Sequence, residues 1–217
     1  TFKIGHTSTS ISLATGVAKA RDLNGEKYAV VAVIGDGSLS GGEAFEGLNN
    51  ASTLNSNMII VVNDNEMSIS NNQGGLYKNL KELRDTAGTS KNNFFKAFGF
   101  DYIYLEEGND VQKLVTVFES VKNTKKPIVV HIHTTKGKGF SFAETKKERW
   151  HFSAPFYTET GELVKPADTN TCAFAIRNYL KNKAKLTKNL AVITAATPGI
   201  FGFNEEFRNS LKKQYID

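Results

Sequence analysis

The chain has 217 residues, 40% of them hydrophobic, enough for one large α/β domain or for one domain with part of another. Its formal net charge of +5 comes from scattered lysines and arginines that are not interleaved with aromatic residues, so no nucleic-acid-binding face is expected. No apolar run reaches the ~18 residues of a membrane span, so no membrane partner is expected either.

The first ten residues read TFKIGHTSTS. Gly5-His6 leads into hydroxyl residues, and a helical pattern follows through Ile11, Ala14, Val17, Ala18 and Leu23. Serine and threonine cap helix starts, and the free amides of such a start suit an anion. Gly25 is the expected C′ glycine. Tyr28–Ile34 is continuously apolar, which predicts a central parallel strand covered on both faces. It runs into Gly35-Asp36-Gly37. Ser40-Gly41-Gly42-Glu43 has the form of a capping box, opening a helix that carries Ala44, Phe45 and Leu48. Met58–Val62 is a second buried strand, and it runs into Asn63-Asp64-Asn65-Glu66-Met67.

Two strands and the helix between them make a βαβ unit, with oxygen ligands just past the carboxyl end of each strand. In a parallel sheet that edge binds ligands. Mg²⁺ prefers one or two protein carboxylates together with substrate phosphates. Asp36 offers a carboxylate, Asn65 a side-chain carbonyl and Met67 a backbone carbonyl. Gly35 and Gly37 remove side chains, so a diphosphate can approach the backbone. The pattern predicts a site for a metal together with a diphosphate.

Further along, Leu76–Arg84 and Asn93–Phe98 predict helices, separated by a short polar stretch. Phe100–Leu105 is strand-like. Asp110 caps an amphipathic helix with Val111, Leu114, Val115, Phe118 and Val121 on its apolar face. Pro127 introduces a strand at Ile128–Ile132, which leads into the glycine-rich Lys136-Gly137-Lys138-Gly139-Phe140. Phe142–Glu162 is irregular and contains Trp150-His151. Leu163–Thr169 reads as a linker. A helix from about Thr169 to Lys183, a strand at Leu190–Thr194 and a last helix carrying Phe203, Phe207, Leu211 and Tyr215 follow, with no strand expected after it. Cys172 is the only cysteine, which excludes an internal disulfide and suits a reducing, cytoplasmic setting. Its spacing with Ile176, Tyr179 and Leu180 predicts a buried position.

Gly35-Asp36-Gly37 followed one helix and one strand later by Asn65 resembles the thiamine-diphosphate fingerprint. With Gly5-His6-Thr7-Ser8-Thr9-Ser10, the string NDNEMSIS from Asn63 to Ser70, and Lys136-Gly137-Lys138-Gly139, the chain closely resembles the 1-deoxy-D-xylulose-5-phosphate synthase family over nearly its whole length. The resemblance implies a transketolase-like thiamine-diphosphate-binding α/β fold, a parallel sheet with helices on both faces. It implies an enzyme that joins pyruvate to D-glyceraldehyde 3-phosphate with loss of CO₂, using thiamine diphosphate and Mg²⁺, as a homodimer. It assigns Asp36, Asn65 and the Met67 carbonyl to the metal. It assigns Gly5, His6, Thr7, Gly37, Ser38, Asn65 and Phe140 to the cofactor, and His151 to the substrate channel and proton transfer. It divides the chain into an anchoring domain, residues 1–165, and the start of a second domain, 166–217.

Several positions depart from the family pattern. Phe140 stands where the family usually has a tyrosine. The stretch at 85–93 is shorter than the family's helical insertion. Thr1 begins in mid-motif, which predicts missing upstream residues, and the chain stops at Asp217, before the family's cofactor-activating glutamate. Two other readings therefore stand beside the first: another transketolase-like enzyme, or a non-catalytic cofactor-binding or dimerisation module.

Overall fold

Branched apolar residues build the sheet. In the computed structural model, which describes residues 5–69, 72–165, 168 and 170–216, the strands of the first unit are β1 (Val31–Gly35), β2 (Ile59–Asp64), β3 (Asp101–Leu105) and β4 (Ile128–His133). They pair in the order β1-β2-β4-β3, every pair parallel, with Gly35 opposite Asn63 and Asp64 opposite His133. The starting residues before Gly5, Ser70 and Asn71 of the loop after β2, and Pro166, Ala167 and Thr169 of the expected linker lie outside the described residues.

This unit comprises Thr1–Ser68 and Asn72–Lys138. The period of two in each strand sorts side chains to two faces. Ala32, Ile34, Ile60, Val62 and Val129 meet α1 (Ser10–Leu23), the one-turn α2 (Asp36–Leu39), α3 (Gly42–Ala51), α4 (Gly75–Asp85) and the short α5 (Phe94–Ala97) in one core. Ile59, Val61, Ile128, Val130 and Ile132 meet α6 (Val111–Val121) in a second core on the opposite face. Leu48, Leu80 and Leu83 are fully buried, and burying each contributes about 1.5–3 kcal/mol. The expected fold class, a parallel sheet with helices on both faces, is the one observed. Buried Arg21 ties the opposite edge of the sheet, donating to the Tyr28 and Asn57 carbonyls at 2.8 Å each.

Three sequence expectations are corrected here. β1 is an edge strand: Val31 and Val33 are 48% and 60% exposed, because β1 pairs only with β2 among the described residues and α6 lies over the other strands. The capping box does not form. The chain inserts α2 after Asp36, so Gly41 becomes the residue before α3, and the Ser40 hydroxyl donates to the Gly37 carbonyl instead. Thr9 likewise gives α1 no side-chain cap, since its hydroxyl donates to the His6 carbonyl. Asp110 does cap α6, accepting from the amides of Gln112 and Lys113, and Gly25 takes the left-handed φ of 69° that a C′ position needs.

The second unit comprises Ile69–Asn71 and Gly139–Asp217. It holds α7 (Ser141–Thr145), α8 (Cys172–Leu186), β5 (Val192–Ile193), α9 (Glu205–Leu211) and β6 (Tyr215–Ile216). Val192, Phe203, Phe207 and Leu211 form its core, with Leu180 and Tyr215 packed against them. β6 pairs in parallel with β5, so a strand does follow the last helix. Cys172 is exposed, not buried: it is the first residue of α8, whose core contacts come from Leu180 and Ala184 further along.

Candidate functional site

The carboxyl edge of the first unit's sheet gathers three turns. Asp36 leaves β1 and is 1% exposed. Its Oδ1 accepts the Gly37 amide at 2.8 Å, and its Oδ2 accepts the Asn72 side-chain amide at 2.9 Å. The Asn65 backbone amide, just past β2, lies near enough to this carboxylate to favour its charged form. Asp36 and Asn65 are thus brought together, as the sequence predicts, and Met67 follows two residues later. The loop of Gly5, His6 and Thr7, all exposed, is fixed to α2 by Ser8, whose hydroxyl donates to the Ser38 carbonyl at 2.7 Å. Lys136, from the turn after β4, donates to the Ser68 carbonyl.

Close packing sets the glycines. A Cβ on Gly37 would lie 2.7 Å from that of Ser68, and one on Gly41 would lie 2.7 Å from that of Ser8. A Cβ on Gly35 would meet nothing within 4 Å. Of the two glycines flanking Asp36, then, Gly35 leaves open space, while the space at Gly37 is taken by the protein's own Ser68.

The donor set fits a divalent cation. Asn65 Oδ1 is buried and has no hydrogen-bond partner. A buried acceptor without a donor is costly unless something positive faces it. Burial, and next the nearby Asp64 charge, push the Asp36 carboxyl up to about 7. A cation would relieve both the orphaned oxygen and the repulsion, and it would draw on hard oxygen donors only.

Asp64 behaves differently. It is fully buried, which raises its carboxyl, but the His131 hydrogen bond and the Arg84 charge outweigh that and bring it down to about 2. His131 Nε2 lies 3.0 Å from Asp64 Oδ2, and Arg84 pairs with the same oxygen. Tyr102 Oη lies 2.8 Å from His131 Nδ1. Burial, aided by the Asp64 charge, pushes the Tyr102 hydroxyl up, so it stays protonated beside His131. Sequence reasoning gave Asp64, Arg84 and His131 no role. The one available signal was a histidine, His131, at an inward-facing position within the apolar run of β4.

Phe140 and His151 belong to the second unit. Phe140 packs with Phe142, Trp150 and Phe156 at ring-centroid distances of 5.4, 5.0 and 5.5 Å. His151 lies exposed on the turn after α7, its amide donating to the Glu148 carbonyl at 3.2 Å. No helix of the described residues is long and apolar enough to cross a membrane.

The family model described as 1-deoxy-D-xylulose-5-phosphate synthase matches residues 1–91 and 84–134. The chain is 37% identical to the 1-deoxy-D-xylulose-5-phosphate synthase of Pelotomaculum thermopropionicum, covering 100% of this chain and 39% of that protein. It is 40% identical to 1-deoxy-D-xylulose-5-phosphate synthase 1 of Geobacter sulfurreducens, over 95% of this chain and 39% of that one. It therefore spans well under half the length of these relatives. A crystal structure of transketolase from Campylobacter jejuni superposes with a TM-score of 0.50 at 22% identity, covering 65% of this chain and 21% of that one, a likeness of fold alone.

Proposed function

The chain belongs to the 1-deoxy-D-xylulose-5-phosphate synthase family, and from that premise we propose that it is the cofactor-anchoring part of an enzyme joining pyruvate to D-glyceraldehyde 3-phosphate with loss of CO₂. The product, 1-deoxy-D-xylulose 5-phosphate, would feed isoprenoid, thiamine and pyridoxal synthesis. The observation that carries the reading is the orphaned Asn65 Oδ1 beside the buried, proton-seeking Asp36.

When bound, thiamine diphosphate would supply an electron sink for the carbon–carbon bond chemistry. The chain's own residues do the holding. Asp36, Asn65 and the Met67 carbonyl would hold Mg²⁺ and so anchor the diphosphate. Gly5, His6, Thr7, Gly37 and Ser38 contact the cofactor, and Phe140 packs on it. His151 lines the substrate channel and moves a proton. Residues 1–165 form the anchoring domain and 166–217 begin the second, in a homodimer.

Calorimetric titration of thiamine diphosphate, with and without Mg²⁺, tests the reading on this protein and on Asp36→Ala. Metal-dependent binding that the substitution abolishes is the expected result, with turnover of pyruvate and triose phosphate as the next assay. Metal-independent binding, or none to a folded protein, would refute it.

A further inference from the structure

Two of the candidate metal ligands, Asn65 and Met67, follow directly on Asp64. Asp64 closes β2, and its Oδ1 accepts the Glu66 amide at 3.0 Å. That bond spans Asn65 and holds a tight turn in which Glu66 takes a left-handed φ of 69°. A residue with a Cβ adopts this conformation only where its surroundings fix it. The other oxygen, Oδ2, receives His131 Nε2 and Arg84. Arg84 also places Nε 3.5 Å from the Glu66 carboxylate. It comes from the last turn of α4, so the end of that helix is tied back to the end of β2. None of these side chains is among the proposed ligands.

An ionised carboxylate only accepts, so His131 Nε2 carries the hydrogen that faces Asp64, while Tyr102 Oη holds the other ring nitrogen, Nδ1, at 2.8 Å. The ring is thereby fixed at both ends. Asp64 thus has one oxygen for the turn and one for the clamp, and the two functions do not compete.

We infer that Asp64, clamped by Arg84 and His131, is the positioning residue of the metal site, setting the turn that presents the Asn65 carbonyl oxygen to the cation. The inference rests on the metal and thiamine-diphosphate reading above. Mg²⁺ demands near-ideal octahedral geometry, so a carbonyl on a loosened turn is a poorer ligand. Groups behind the ligands typically change metal affinity about 10–100-fold when removed.

The test is calorimetric titration of thiamine diphosphate into the protein over a series of Mg²⁺ concentrations, read as the Mg²⁺ midpoint. Arg84→Met should raise that midpoint about tenfold or more, while binding at saturating Mg²⁺ is retained. Arg84→Lys keeps the charge on Asp64 and should recover most of the loss. A purely structural clamp predicts a lower urea midpoint and an unmoved Mg²⁺ midpoint, and that result in folded Arg84→Met overturns the inference. Should Arg84→Met not fold, Tyr102→Phe decides. It leaves the Asp64–Arg84 pair intact and releases only the His131 ring, so a raised Mg²⁺ midpoint supports the inference and an unchanged one overturns it. A parent protein that binds no thiamine diphosphate with Mg²⁺ refutes the functional reading, and the inference falls with it.

Discussion

Gly37 and Ser68 meet so closely that a single methyl group between them has no room: an added Cβ would lie 2.7 Å from the Ser68 Cβ and 3.1 Å from its Cα. The Ser68 backbone is part of the contact and cannot simply rotate away. Gly37→Ala should therefore cost about 1–3 kcal/mol, the usual range for overpacking, and displace the turn after β2. Gly35→Ala meets open space at an ordinary φ of −77° and should change stability by less than about 0.5 kcal/mol. Urea denaturation of both variants measures the difference. Equal midpoints would show that the loop moves aside freely.

Asp36 and Asp64 are two buried carboxylates at neighbouring strand ends, and they respond to pH in opposite senses. Burial and the Asp64 charge raise Asp36, so between the unfolded carboxylate range and about 7 the folded chain holds a proton that the unfolded chain has released. Without a divalent cation, stability falls as pH rises through that window. For Asp64, the His131 bond and Arg84 charge overcome burial, so its contribution is present above the unfolded value and is lost as pH falls toward about 2. In the proposed site a cation would take the place of the Asp36 proton. Mg²⁺ should then raise the thermal midpoint more at pH 8 than at pH 6. Asp36→Asn should raise the cation-free midpoint at pH 8 and remove the Mg²⁺ response. Equal Mg²⁺ shifts at the two pH values in the parent protein would take Asp36 out of the metal site.

What was legible in the sequence was local. The apolar runs and the oxygen-bearing residues that end them placed Asp36 and Asn65 together, because a parallel βαβ unit brings successive strand ends to one edge. The position of β1 at the sheet's edge was not legible, since Val31 and Val33 are apolar whether a helix covers them or not. The Ser40-x-x-Glu43 pattern misled because the extra helical turn that begins at Asp36 shifts the start of α3 by one residue, and a capping box depends on register. The Asp64 clamp was illegible for a different reason. Arg84 is an ordinary cation in the last turn of a helix until the fold carries that turn back to β2, and His131 arrives from a strand 67 positions away in the chain.

Asp110 is the cap that sequence and structure agree on, its Oδ1 accepting from Gln112 and Lys113 at 2.9 and 3.1 Å. Asp110→Ala should cost about 1 kcal/mol by freeing both amides at the start of α6. Asp110→Asn keeps the accepting oxygen and should cost much less. Urea melts of the two variants give the comparison, and an alanine variant as stable as the asparagine one would mean that water caps this helix equally well.

Trp150 is the chain's only tryptophan, and it reports on Phe140. Its ring stands edge-on to Phe140 at 5.0 Å and to Phe156 at 4.5 Å, with the Arg149 guanidinium 4.8 Å from its centroid. Each such aromatic pair contributes about 0.5–1.5 kcal/mol beyond burial. Phe140→Ala should therefore lower the urea midpoint and shift Trp150 emission to the red as water reaches the indole. Phe140→Tyr, which restores the family's hydroxyl, keeps the ring and should leave both unchanged. Parent-like emission and stability in Phe140→Ala would remove Phe140 from the cluster. The same fluorophore addresses the proposed cofactor contact. If Phe140 packs on thiamine diphosphate, adding it with Mg²⁺ should change Trp150 emission in the parent and in Phe140→Tyr but leave Phe140→Ala unresponsive. An equal response in all three proteins would assign the signal to some other part of the chain and separate Phe140's place in the aromatic cluster from any role in holding the cofactor.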